Sequence, residues 1–313
     1  MTGPSVEWLA QPAVLPWVAL ILGLCVGSFL NVVIYRLPRM MEREWLSQIP
    51  EMLEEAQALS GEPDRARVAG EVRGLTKALL AERFSLSFPR SRCPACGHRI
   101  GALENIPVLS YLLLRGKCAQ CKARISPGYP IVELLAGVGA FYCAYHFGFG
   151  LKAFAAAAFF WCVITLALID QKTGYLPDDI TLPLIWLGLL VNLAGTFVPL
   201  ADAVIGAVAG YTVLWTVNAG FRALRGVEGM GYGDFKMTAA VAAFLGWREL
   251  FMVILLSSFV GVVFGTAQMF AARRGWDWKF KFHFGPYIAI AGVIALFWGS
   301  EIALLFPMLR PLG

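Results

Sequence analysis

The sequence predicts an all-α polytopic membrane protein, with about eight transmembrane helices and one cytoplasmic, cysteine-bearing insert. Three observations predict it. Of 313 residues, 58% are hydrophobic and 15% charged, where soluble domains run near 45–50% and about 25%. Apolar runs approaching the roughly 20 residues that a span needs recur along the chain. A single long polar segment interrupts them, between the first run and the second.

The spans are read at 14–34, 131–149, 151–169, 180–198, 203–221, 235–246, 250–271 and 284–306. The sixth is short for a full crossing, and Trp247, Arg248 and Glu249 interrupt its far end. The first run is not a signal peptide. No basic residue precedes it, and Asn31 to Arg36 follow where a small-residue cleavage site would stand. Lys and Arg set the orientation. Residues 36–128 hold most of them, Arg222 and Arg225 follow the fifth span, and Arg273, Arg274, Lys279 and Lys281 follow the seventh, while residues 1–13 carry none. With eight spans the three basic loops share one side, which places them in the cytoplasm and both termini outside. The net charge of +5 suits a face beside anionic lipid. No basic-aromatic pattern accompanies it, so the bilayer is an expected partner and nucleic acid is not. The expected organisation is a first span at 1–35, a cytoplasmic domain at 36–128 and a seven-span membrane domain at 129–313.

The first half of the insert reads as a helical hairpin over 42–82. Leu46, Ile49, Leu53, Ala56 and Leu59 recur at helical spacing, as do Val68, Val72, Leu75 and Leu79, with a turn signal at Gly61-Glu62-Pro63-Asp64 between them. The second half, 93–121, holds Cys93 and Cys96, then Cys118 and Cys121. Two CxxC knuckles at this separation fit a tetrahedral zinc site of four thiolates in a zinc-ribbon-like unit. A cytoplasmic place argues against stable disulfides, and a redox motif needs only one pair. Four cysteines close the coordination shell, so the metal holds the fold and does no chemistry. His98 is then a surface residue, not a fifth ligand. Cys25, Cys143 and Cys162 lie in spans, as small hydrophobes. His146 and His283 stand near span ends as interface residues.

Two acids have no comparable place. Asp170 closes the third span, at a helix end whose dipole disfavours an anion. Asp178 or Asp179 serves as N-cap of the fourth span. Asp234 follows Gly231-Tyr232-Gly233 and starts the sixth span, where it is either an N-cap or a reactive group. Lys236 pairs with Asp234 or, more plainly, with lipid phosphate. With the orientation above, Asp170 and Asp234 fall on the same, cytoplasmic, membrane face. Carboxyl groups at membrane depth are costly and functional by default. A converging pair can share one proton: the ionised member deprotonates water and the protonated member polarises a scissile carbonyl. No serine–histidine pairing or HExxH motif points to another protease class.

These residues carry a resemblance. The chain resembles the bacterial type IV prepilin peptidases (prepilin leader peptidase/N-methyltransferases) of the GxGD membrane aspartic class. The likeness covers nearly the whole length, on Gly27-Ser28-Phe29-Leu30-Asn31-Val32, Tyr35-Arg36-Leu37-Pro38, Ser91-Arg92-Cys93-Pro94, Asn105-Ile106-Pro107-Val108-Leu109-Ser110-Tyr111, Arg115-Gly116-Lys117-Cys118, Tyr129-Pro130-Ile131-Val132-Glu133, the Asp170 motif and Gly231-Tyr232-Gly233-Asp234-Phe235-Lys236. The resemblance implies a bacterial inner-membrane aspartic endopeptidase that removes the basic leader of type IV prepilins and pseudopilins after a glycine, with Asp170 and Asp234 as the acids. It implies service to a type IV pilus or to type II secretion. It also implies N-methylation of the new terminus with S-adenosylmethionine. No GxGxxG in a βαβ unit marks a methyl-donor site; Glu104, Asn105 and Glu133 are the polar residues considered for it. Two rivals are a proton-coupled transporter that uses the same acids, against which the sequence offers no internal repeat, and a non-enzymatic zinc-bearing scaffold of a pilus or secretion machine.

Overall fold

The structure, a computed structural model, describes residues 11–60, 63–271 and 283–305. Residues 1–10, Gly61 and Glu62 of the hairpin turn, Phe306 and the basic group at Arg273, Arg274, Lys279 and Lys281 lie outside the described residues. The helices are α1 (Leu15–Ser60), α2 (Pro63–Leu80), α3 (Leu109–Leu113), α4 (Gly128–Phe147), α5 (Leu151–Thr173), α6 (Asp178–Asn192), α7 (Leu200–Arg225), α8 (Tyr232–Leu245), α9 (Leu250–Ala271) and α10 (Gly285–Leu305). Among the described residues there is no β-strand; two isolated antiparallel bridges join Arg92 to Arg99 and Lys117 to Arg124. The chain divides into two units, Ser28–Pro130 and the remainder, with the division falling inside α1.

Within the larger unit α8 is the central element. From Asp234 to Leu245 every side chain is buried except that of Lys236. A helix apolar on all sides must be surrounded by protein or lipid; here neighbouring helices enclose it. Small residues let them close in. A methyl group built on Gly188 of α6 would lie 2.6 Å from Phe244, and one on Gly206 of α7 would lie 2.6 Å from the Ala242 carbonyl. Phe159 of α5 meets Phe244 at 4.9 Å between ring centres. The first part of α1 packs on α4 by the same device: Gly23 faces Ala136 and Ala140, Gly27 faces Glu133, and Trp17 meets Phe141 at 5.1 Å.

Two expectations change here. Six helices among the described residues are long and apolar enough to cross a membrane, not eight. Helices α6 and α8 have 15 and 14 residues; at 1.5 Å each they reach about 21–22 Å, short of a hydrocarbon core of roughly 30 Å. Their shortness has a cause. The buried Asn192 ends α6, donating to the Ala243 and Phe244 carbonyls at 2.9 and 3.0 Å and accepting from the Phe197 and Val198 amides. It thereby pins the turn after α6 to the end of α8. The second change concerns the hairpin, whose first arm is not a separate helix. Helix α1 runs unbroken through Pro38 and Pro50 to Ser60.

The smaller unit holds the far part of α1, the helix α2 and an irregular segment. The buried Arg36 organises that segment, donating to the Ser85 carbonyl at 2.8 Å and to the Pro89 carbonyl. Arg73 of α2 meets Glu54 of α1 at 2.7 Å.

Candidate active site and metal centre

Asp170 lies in the last turn of α5, which Gly174 closes in the left-handed conformation with its amide on the Asp170 carbonyl at 2.8 Å. The carboxyl group is buried at an end where the α5 dipole opposes a negative charge. A second helix offsets that cost. The amide of Gly285, first residue of α10, donates to Asp170 Oδ2 at 3.0 Å. Helix N-termini present unpaired N–H groups and a positive dipole end, so α10 stabilises what α5 does not. The fit is tight, since a methyl group on Gly285 would stand 2.7 Å from that oxygen.

Asp234 lies in the first turn of α8 and is also buried. The N-cap is Gly231, without a side-chain cap, so the capping alternative for Asp234 does not hold. Gly231 faces the carboxylate: a methyl group there would lie 3.6 Å from Oδ2. Asn218 of α7, buried in an apolar helix, accepts the Gly229 and Met230 amides at 2.9 and 3.1 Å and so fixes the loop that delivers Asp234.

Leu176 joins the two halves. Methyl groups built on Gly233 and Gly285 would meet it at 2.8 and 3.2 Å. The starts of α8 and α10 therefore close on one leucine in the turn after Asp170, which brings the segments that carry Asp170 and Asp234 together. His283 stands beside them, its Nε2 3.5 Å from a methyl position on Gly174. Among the described residues Lys236 pairs with Asp178 and not with Asp234. It forms a two-pronged ion pair with Asp178, 2.7 Å to each oxygen, tying α8 to the start of α6. Asp178 and Asp179 are first-turn residues behind a Pro177 cap, not caps themselves; a first-turn carboxylate still gains from the dipole. His146, in the last turn of α4, stacks on Tyr142 and meets Phe147 and Phe297 edge-on.

In the smaller unit the four cysteine sulfurs, of Cys93, Cys96, Cys118 and Cys121, all lie within 4.8 Å of one another, with Cys93 and Cys121 at 3.8 Å. A tetrahedron of Zn–S bonds of about 2.3 Å has edges near 3.8 Å, so the set fits a metal ion of that size. The two knuckles repeat one design. Each turns through a left-handed residue, Gly97 and Lys122, and returns an amide to the first cysteine's carbonyl at 2.9 and 3.1 Å. The amides of Cys96 and Ala95 pull the Cys93 thiol down to about 7, and those of Cys121 and Gln120 lower Cys118. Cys96 is pushed up to about 12, against the His98 amide, by desolvation and the neighbouring thiols. Four thiolates repel one another unless a divalent ion sits among them. His98 is not a ligand, because its ring meets Glu104 at 3.0 Å. Glu104 also accepts the Gly101 amide, and the Gly101 bond followed by His98 lowers its carboxyl. Glu104 and Asn105 thus belong to one unit, Glu133 to the other.

Comparison with known proteins decides the family. Residues 21–147 match the bacterial peptidase A24 N-terminal domain, and residues 157–266 match the type IV leader peptidase family. The prepilin leader peptidase/N-methyltransferase of Stutzerimonas stutzeri is 48% identical over 300 residues, which is 95% of this chain and 96% of that one. The chain belongs to the type IV leader peptidase family. Family members of the same description from Pseudomonas putida and Pseudomonas aeruginosa are 46% and 44% identical, over 93% and 96% of this chain and 93% and 96% of theirs. No solved structure matches the chain. The leader-peptidase match contains both aspartates, and the N-terminal-domain match contains all four cysteines. Gly285, Leu176 and Asn218 escaped the sequence reading. Asn218, a polar residue inside an apolar run, carried a legible signal.

The metal centre yields one prediction. Metal analysis of the purified chain is expected to find about one zinc, lowered by Cys93→Ser. Stripping it with a chelator is expected to expose amides over residues 91–126 to exchange, since structural zinc contributes on the order of 10 kcal/mol or more to such sites. Acidification works in the same direction because protons compete with metal for the thiolates. Full amide protection in metal-free protein would contradict this.

Proposed function

We propose that the protein removes the leader of type IV prepilins or pseudopilins after a glycine at the cytoplasmic membrane face, and then N-methylates the new terminus. Asp170 and Asp234 act as the paired acids, and zinc at the four cysteines serves the fold. The observation that carries the reading is the delivery of two buried carboxyls from α5 and α8 to the same end of the larger unit.

Asp170, which accepts the Gly285 amide, is suited to be the ionised partner. It takes a proton from water as the water oxygen bonds to the scissile carbonyl carbon. Asp234 carries the shared proton and donates it toward the carbonyl oxygen as charge develops there. Collapse of the tetrahedral intermediate breaks the C–N bond, and the pair returns a proton to the departing amine. S-adenosylmethionine, when bound, would supply the methyl group, and the amine freed by cleavage is the nucleophile that would accept it. Membership of a peptidase family tells against the transporter and scaffold alternatives.

The test is mass spectrometry of a pilin N-terminus from cells with and without this protein. With it, the leader is expected to be absent and the terminus 14 Da heavier, about one CH₂. An unprocessed pilin in both cells would overturn the proposal, and a cleaved but unmethylated one would remove its second half.

A further inference from the structure

The smaller unit carries a cleft of about 750 Å³ whose lining includes neither aspartate and none of the four cysteines. Arg43, Glu44 and Ser47 of α1 form one side; Arg83, Phe84 and Phe88 form the other. The second side has no regular secondary structure, yet it is firmly built. Arg43 donates to the Leu79 and Glu82 carbonyls at 3.0 and 3.1 Å and lies 5.2 Å from the centre of the Phe84 ring. Arg36 holds the Ser85 and Pro89 carbonyls from beneath. Ser85 and Phe88 close the turn on each other: the Ser85 amide donates to the Phe88 carbonyl at 2.8 Å, and the Phe88 amide to Ser85 Oγ at 3.1 Å.

We infer that this cleft binds the methyl donor, S-adenosylmethionine. The inference rests on the methyltransferase reading above. The size is that of a small-ligand site, roughly 300–1,000 Å³. The lining matches the ligand group by group. Phe88, 57% exposed and so open to a ligand, offers a face for adenine. The face of Phe88 also suits a sulfonium cation, while Phe84 is held under Arg43 and Arg36. Glu44 accepts from ribose hydroxyls or the ammonium group, with Ser47 beside it. Arg83 presents a fork for the carboxylate. Both signs of charge flanking an open aromatic ring complement a zwitterion with an aromatic base. A bare phosphate or a basic leader peptide would call for one sign.

The experiment measures binding of S-adenosylmethionine and its unreactive product, S-adenosylhomocysteine, to the purified full-length chain in detergent. Equilibrium dialysis is read beside hydrogen exchange and methyl transfer to a freshly cut pilin. Phe88→Ala and Arg83→Ala are each expected to weaken binding about tenfold or more. Phe88→Tyr is expected to retain it, and Arg67→Ala, on the exposed face of α2, to bind as the unaltered chain does. S-adenosylhomocysteine is expected to slow amide exchange at 43–47 and 82–89, a readout that needs no variant to fold. Tight binding by both alanine variants, with protection at other residues, would overturn the assignment and leave methyl transfer standing. An unaltered chain that neither binds the donor nor methylates the pilin would overturn the methyltransferase reading, and the cleft assignment with it.

Discussion

Asp170→Asn and Asp234→Asn are each expected to lower leader cleavage at least about a thousandfold while leaving the chain folded. Asparagine keeps the size and the acceptor oxygen of aspartate, so packing around Leu176 survives. It can neither take a proton from water nor supply one to a carbonyl. General acid–base groups contribute about 10²–10⁴ in rate, and groups that act as a unit each cost nearly the whole effect when lost. The loss belongs in kcat, because asparagine keeps the side chain's shape and removes only the proton transfer. In the unaltered enzyme the same pairing gives a bell-shaped pH dependence. Below its optimum both acids are protonated and no base remains; above it both are ionised and no proton polarises the carbonyl. The two limbs belong to the pair and not to either residue. Cleavage by purified variants on a prepilin checks this, and either asparagine variant retaining near-normal kcat would remove the dyad.

Gly285→Ala is the next largest expected effect, about a hundredfold in kcat. The added methyl group would sit 2.7 Å from Asp170 Oδ2 and 3.2 Å from Leu176. Neither the start of α10 nor the carboxylate can keep its place. The 3.0 Å hydrogen bond from the Gly285 amide is stretched or lost, and displacement near 1 Å at a reacting group costs on the order of 10²-fold. Crowding in a packed interior adds about 1–3 kcal/mol of destabilisation, measurable as a lower Tm. Gly220→Ala supplies the contrast. That glycine of α7 has open space around it, so the change should leave kcat alone and leave the helix unharmed. A Gly285→Ala enzyme with normal kcat would show that α10 does not hold Asp170.

The legibility of each feature depends on whether its physics is local. The four cysteines were legible because ligand spacing is a sequence property, and the knuckle turns at Gly97 and Lys122 follow them directly. Asp170 and Asp234 stood out because charge in an apolar run needs a reason. Gly285 did not, because its amide meets a residue 115 positions away; nothing in Phe284-Gly285-Pro286 names that partner. The pairing of Lys236 with Asp178 was hidden in the same way, 58 positions apart. Helix α6 reads as a full span and α8 as a short one, since hydropathy does not separate a helix buried in protein from one buried in lipid. The separation of the first span from the hairpin rests on a shift to polar composition after Ile34. The helix runs through it, so composition there changes the solvent and not the backbone.

The most direct test of the account is a cross-link in the intact membrane-embedded chain. Thiols introduced together as Asp170→Cys and Asp234→Cys are expected to join, on mild oxidation or with a reagent spanning one or two atoms, since a disulfide forms only where Cβ atoms approach to about 3.5–4.5 Å. Asp202→Cys paired with Asp234→Cys is the control, because Asp202 holds Trp247 at the far end of α8 and should not link. Efficient joining of the first pair alone is the predicted result; failure of that pair to join under any short reagent, with the control behaving the same, would contradict the shared site.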